Sequence, residues 1–304
     1  MKNSKFKELI VYSFFRFFIF IMRFVGIKNA SNFCAKFFAI IGPWVKTNKV
    51  VRNNLHYIYK NISEARVNEL QKAIWSNFGR YVGEFAFIDE QFLEENKSYI
   101  KIEIDEETQK IFDQKTPIMI FSGHMANWDI ALFGVSELIE NIAVIYRKIN
   151  NKYIDNYVRK RRAINNARLI SKGSDGVKDL VKSIREKRSF VMLVDQKMND
   201  GIQVPFLGKK AMTSKAIASI ALQYKYPIIP VQIIRNKDNL GFKLIFHKPI
   251  EIKDKENKEA AVYDIMLDIN NILAGWVNER PEQWFWLHQR WGKPHEMTDS
   301  NMII

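Results

Sequence analysis

An α/β fold built on one central sheet, preceded by an amphipathic helix, is the architecture the sequence predicts. Three observations carry it. From residue 99 onward, short apolar runs alternate with longer helical stretches, which is the signature of strands separated by helices that pack on their sheet. The 304 residues are 47% hydrophobic and 13% aromatic, enough to bury a large core and too apolar for a disordered chain. No Gly, Ser or Pro tract marks a linker and no internal repeat stands out, so one body with an N-terminal appendage accounts for the length.

The appendage is residues 1–27, and the body is 28–304. The stretch ELIVYSFFRFFIFIMRFVGI (8–27) is the most hydrophobic segment, yet Arg16 and Arg23 interrupt it. A spanning helix needs about 20 apolar residues, and each arginine near the bilayer centre costs about 2.5–3.5 kcal/mol on insertion scales. Lys5, Arg16 and Arg23 fall within ~20° of one helical face. That stripe predicts a helix lying in the membrane interface with its arginines toward lipid phosphates. No small-residue cleavage site follows, which argues against a secretory signal. A second aromatic run, NFCAKFFAIIGPWV (32–45), extends the greasy surface. Its Cys34 is the chain's one cysteine, so no intrachain disulfide forms, and a packed, inert thiol is expected.

Helical patterns follow at 46–59 and 64–89. Strands are expected at 99–104, 117–121, 142–147, 168–171, 190–195, 227–234 and 242–247. Helices are expected at 127–139, 151–165, 174–187, 213–225 and 258–279. In such sheets chemistry sits beyond the carboxyl ends of the strands, and both His124 and Asp195 fall there.

The stretch FSGHMANWDI (121–130) places His124 and Asp129 five residues apart. One continuous helix would hold them ~140° apart, so the spacing predicts a turn at Gly123 and a helix starting near Asn127. His124 then folds back on Asp129 in the first turn, where an acidic residue suits the helix dipole. A carboxylate on one imidazole nitrogen leaves the other free as a general base. No second His or carboxylate lies at metal-ligand spacing from it.

Asp195, Gln196 and Lys197 follow a strand in VDQKMNDGIQVPFLGKKAMTSKAI. Gly208, Lys209, Lys210, Thr213, Ser214 and Lys215 are read as a loop seating an anion at a helix N-terminus, without the P-loop pattern. RPEQWFWLHQRW (280–291) brings Trp284, Trp286 and Trp291 together with His288 and Arg290, the composition of a core-facing aromatic clasp.

Lysine and arginine number 47 against 33 acidic residues, a net charge of +14. Residues 1–60 hold eleven basic residues and one acid, Glu8, and residues 146–172 hold nine against Asp155. Such patches suit anionic partners: lipid head groups, phosphorylated substrates, an acidic carrier protein or nucleic acid. No zinc-finger or RNP-like signature supports the last.

Taken in order, H-x4-D at His124 and Asp129, YRKINNKYID (146–155), RKRR (159–162), VDQKMNDGIQVPFLGKKAMT (194–213) and PEQWFWLHQRW (281–291) resemble the late-acting acyltransferases of lipid A biosynthesis, the lauroyl/myristoyl transferase family. The resemblance implies a mixed sheet flanked by helices, as in glycerol-phosphate acyltransferases. It implies transfer of a fatty acyl chain from acyl carrier protein to a hydroxyl on a hydroxyacyl chain of a phosphorylated, Kdo-bearing lipid A precursor. It also implies the cytoplasmic face of the inner membrane and no metal or organic cofactor. The family's arginine falls on Arg162, with Arg161 adjacent, and its Asp-Gln on Asp195 and Gln196; many members carry Glu where this chain has Asp129. Arg147, Arg162, Asp195, Gln196 and Lys197 become substrate-binding candidates, with His124 and Asp129 as the catalytic pair. Phosphatidylinositol-mannoside and glycerophospholipid acyltransferases are the nearest alternatives. A basic nucleic-acid-binding module and a non-catalytic membrane scaffold are the distant ones.

Overall fold

The computed structural model describes residues 2–89, 97–173, 176–239, 241–253, 255–293, 295 and 297. The first two residues of the expected helix 174–187 lie outside them. Four helices come first: α1 (Lys2–Val25), α2 (Ile27–Ile41), α3 (Asn48–Ile58) and α4 (Glu64–Glu84). α2 and α4 pack backbone to backbone. A Cβ on Gly79 or Gly83 of α4 would stand 2.3 or 2.4 Å from the carbonyl oxygens of Cys34 and Ala30, so only glycine permits the contact. Cys34 is buried there against Met22, and burial pushes its thiol up to about 11.

The α/β body then runs β1 (Ile100–Ile104), α5 (Glu106–Asp113), β2 (Met119–Ser122), α6 (Trp128–Leu138), β3 (Ile142–Tyr146), α7 (Lys152–Arg162), β4 (Arg168–Ser171), α8 (Val177–Arg185) and β5 (Ser189–Leu193). A hairpin, β6 (Ile202–Phe206) and β7 (Lys209–Thr213), precedes α9 (Ala216–Tyr224), β8 (Ile228–Arg235), β9 (Phe242–Phe246) and α10 (Lys258–Glu279). The seven-stranded sheet has the order β1-β9-β8-β2-β5-β3-β4. Strands β8, β2, β5, β3 and β4 are parallel, β9 runs against β8, and β1 is parallel to β9. The mixed sheet with flanking helices is thus the architecture expected. Its five parallel strands are near-continuous Ile, Val, Phe and Met because helices cover both faces.

Two elements depart from the sequence reading. The short helix α5 was not expected; Asp105 caps it by accepting from the Glu107 amide at 2.9 Å, with two acidic residues in its first turn. The supposed anion loop is instead the β6–β7 hairpin. Leu207 and Gly208 form its turn with φ of 51° and 72°, and Lys209, Lys210 and Thr213 lie in β7, three or more residues ahead of α9.

α1 lies against the body. Ile19 and Met22 are buried, Phe15 packs on Tyr157 and Phe85, and Asn151 donates to the Glu8 carbonyl at 2.8 Å. Of the stripe expected to face phosphates, Arg16 and Arg23 are exposed and also make contacts within the protein. Arg16 sits 5.0 Å over the Tyr157 ring and donates to Tyr12, while Arg23 pairs with Asp89. The outward residues are aromatic: Phe14, Phe17, Phe20 and Phe24 of α1 are 63–83% exposed, and Trp44 is 88% exposed. Among the described residues no helix is long and apolar enough to cross a membrane.

Candidate active site

Strand register assembles the centre of the site. β2 and β5 are parallel with Ser122 opposite Leu193. Extending both by two residues brings His124 beside Asp195, although 71 residues separate them. Asp195 Oδ1 is 2.6 Å from His124 Nδ1, and Oδ2 accepts from the His124 backbone N–H and from Trp284 Nε1, both at 2.7 Å. Asp195 is fully buried. Burial works against its charge, but His124 and the N–H donors outweigh that and hold its carboxyl well below the usual range. A carboxylate that fixes Nδ1–H leaves Nε2 as the free, proton-accepting nitrogen. Gln196 Nε2 lies 3.3 Å from that atom.

The expected contact between His124 and Asp129 is therefore replaced. Asp129 accepts from Arg162 through Nε at 2.5 Å and Nη2 at 2.9 Å, and from the Tyr81 hydroxyl at 2.9 Å. It sits in the first turn of α6 while Arg162 ends α7, so each helix dipole supports the charge it carries. Burial opposes the Arg162 charge, but Asp129 overcomes it and holds the guanidinium firmly protonated. Burial, then the Asp129 charge, also drives the Tyr81 hydroxyl well above its ordinary value. Of the two adjacent arginines, Arg162 reaches the site, while Arg161 turns away to Asp89 and the Ala86 and Ile88 carbonyls.

The turn that presents His124 also differs from expectation. Gly123 is not in the left-handed region; that conformation falls on Ala126, with φ of 45°. A Cβ on Gly123 would sit tightly, 3.3 Å from Asp195 Oδ2 and 3.2 Å from Leu273, so a larger residue there would press on the carboxylate that holds His124. The turn is held from three sides. The Ala126 amide donates to the Gln283 carbonyl at 2.8 Å, and the Phe285 amide to the His124 carbonyl at 2.9 Å. Asn127 caps α6 through the Ile130 amide and donates to Glu84, which is buried in a bidentate pair with Arg235. The C-terminal aromatic segment is thus a clasp, as its composition suggests, and it closes directly on the turn that carries His124.

His124 opens into a cavity of about 240 Å³ between α6 and one face of the sheet. Val135, Val144, Val191 and Val231 contribute to an apolar wall, while Arg147, Arg162 and Lys172 supply positive charge. Trp128 meets the His124 ring edge-on at 5.1 Å, and Tyr81 stacks on Trp128 at 4.0 Å. Lys197 lines a different cavity, on the other side of Gln196. The sequence reading did not single out Tyr81, Lys172 or Trp284 individually. The tryptophan-rich segment signalled the third, but nothing local marks the first two. Among the described residues no group of three or more His, Cys, Asp or Glu could hold a metal ion.

A half-buried imidazole on a buried carboxylate, beside an apolar, cationic cavity, is suited to removing a proton from a hydroxyl near an apolar chain. The family of bacterial lipid A biosynthesis acyltransferases matches residues 2–293. The chain belongs to that family. No individually curated protein matches alongside it.

Proposed function

We propose that this lipid A acyltransferase moves a fatty acyl chain from an acyl carrier protein thioester to a hydroxyl of a hydroxyacyl chain on a Kdo-bearing lipid A precursor. The observation that carries the mechanism is the Asp195–His124 pair with Nε2 facing the cavity. The acceptor hydroxyl gives its proton to Nε2 as its oxygen attacks the thioester carbonyl. Negative charge develops on the carbonyl oxygen, where the Gln196 amide and the Arg147 guanidinium are the nearby donors. The intermediate collapses by breaking the carbon–sulfur bond, and the departing thiolate takes the proton back from Nε2. An ester forms, a thiol leaves, and no acyl-enzyme is needed. Asp129 locks Arg162, whose charge faces acceptor phosphate from the cavity wall.

The basic surface favours an acidic carrier protein, and the exposed phenylalanines of α1 suit insertion into the cytoplasmic face of the inner membrane. A glycerophospholipid acyltransferase would use the same base, so the acceptor must be identified directly. The test is incubation in detergent with acyl carrier protein thioesters and a tetra-acylated precursor, with the product read by mass. His124→Ala should lose at least ~10²-fold in rate; full activity in that variant would overturn the mechanism. A product mass matching an acylated glycerophospholipid would overturn the acceptor.

A further inference from the structure

Strands β3 and β4 run parallel with Tyr146 opposite Ser171, so the next residues, Arg147 and Lys172, leave the carboxyl end of the sheet side by side. The Lys172 amide fixes that arrangement by donating to the Tyr146 carbonyl at 2.9 Å. Tyr146, Arg147 and Lys172 all line the catalytic cavity. Tyr146 is 6% exposed, and its hydroxyl is sealed from solvent without a hydrogen-bond partner. Among the described residues it is the one such side-chain atom that belongs to the lining of this cavity. A buried, unpaired hydroxyl destabilises the free protein, and one reason a native fold keeps it is a ligand that supplies the partner. Burial, then the Asp155 charge, raises the pKa of this hydroxyl, so it stays a donor.

The cations beside it are also unmatched. Arg162 shares its charge with Asp129, whereas neither Arg147 nor Lys172 has an ion-pair partner among the described residues. Burial lowers the pKa of the Lys172 ammonium, Asp195 raises it and the Arg147 charge lowers it again, so the two cations repel. An anion between them removes that repulsion. We infer that Tyr146, Arg147 and Lys172 form a subsite for a phosphoryl group, resting on the acyl-transfer reading above only for where that group comes from. The donor set selects phosphate over a carbonyl oxygen. Two positive charges and a neutral O–H match several anionic oxygens, whereas a single developing oxyanion is met beside His124 Nε2 by Gln196. The guanidinium has five N–H donors, so Arg147 can meet phosphate along one edge and the oxyanion along another. Two sources bring such a group to the cavity: the acceptor's head group and the phosphodiester of the carrier protein's pantetheine arm.

The first experiment needs no turnover. Dodecyl phosphate and dodecanol are titrated into the full-length protein in neutral detergent, with binding read from tryptophan fluorescence, to which Trp128 contributes from the cavity wall. Dodecyl phosphate should bind about tenfold or more tightly than dodecanol. Tyr146→Phe and Lys172→Met should each weaken it about tenfold and leave dodecanol binding unchanged. Tyr146→Phe should also melt no lower than the parent, because its hydroxyl has no partner in the protein to lose. Equal binding of the two probes by the parent, or a lower melting temperature with the phosphate preference intact, would overturn the subsite. Kinetics of the two variants then identify the source. A raised KM for the phosphorylated acceptor but not for its dephosphorylated form marks the head group. A raised KM for the carrier thioester, but not for the same acyl chain on phosphate-free pantetheine, marks the donor arm. Phosphate-selective binding with neither KM changed would leave the subsite standing and count against the substrates named above.

Discussion

Replacing Asp195 by Asn changes one oxygen into NH2 with almost no change of shape, and the surrounding donors decide how the amide must turn. Oδ2 accepts two N–H groups, from the His124 backbone and from Trp284. Turning the new NH2 toward them would leave two buried donors unsatisfied at about 1–3 kcal/mol each, or roughly 2–6 kcal/mol together. Turning it toward His124 Nδ1 costs only a change of tautomer. The second orientation therefore wins, and it makes Nδ1 an acceptor and places the proton on Nε2. The fold survives while the base is lost, so the acyl-transfer rate should fall about 10²–10⁴-fold with little change in melting temperature. Initial rates with acyl carrier protein thioester and lipid precursor, beside a thermal melt, measure both. A soluble Asp195→Asn protein working within about threefold of the parent would refute the claim that Asp195 sets the tautomer.

Three further outcomes are expected. Asp129→Asn or Arg162→Met alone leaves the other partner buried without its counter-charge and should cost about 3–5 kcal/mol in denaturant titration, whereas Asp129→Asn with Arg162→Met should cost less than the sum; additive losses would contradict a coupled pair. His288 exposes part of its ring, yet its Nε2 is sealed from solvent, and burial lowers its pKa to about 4. The unfolded chain then takes up a proton below about pH 6.5 that the native state refuses, so stability should fall by about 2 kcal/mol between pH 6.5 and 5. His288→Gln should flatten that slope in pH-dependent melts, and an unchanged slope would count against it. Phe17→Glu with Phe20→Glu should release the protein from anionic vesicles in a sedimentation assay without altering its melting temperature; undiminished pelleting would move the membrane contact away from α1.

The strands were legible because each is an apolar run bounded by turn residues, and the seven expected runs correspond to the seven strands of the main sheet. The β6–β7 hairpin was not, since IQVPF carries a proline and KKAMT two lysines, a composition that reads as loop. Pro205 is tolerated because its strand pairs on one side only, with β7. At the site, sequence proximity favoured Asp129 as the partner of His124, and strand register favoured Asp195. Register prevailed because parallel pairing fixes positions 71 residues apart to within an ångström or so, whereas Asp129 is drawn off by Arg162 and Tyr81. No local pattern encodes that competition. Tyr81 belongs to the early helices and Arg162 to a helix beyond the next strand, so their convergence exists only in the folded chain.

The clasp formed by residues 281–291 imposes a schedule on the protein's birth. Trp284 supplies one of the three hydrogens that settle Asp195, and the Phe285 amide ties down the His124 carbonyl. At ribosomal speeds of about 5–20 residues per second, Trp284 is made roughly 13–50 s after the end of α1. The greasy helix is therefore exposed first and the proton-accepting nitrogen is set last. The apolar face of α1 is thus available to other surfaces for that interval before the hydrogen bonds that fix Asp195 and His124 can form.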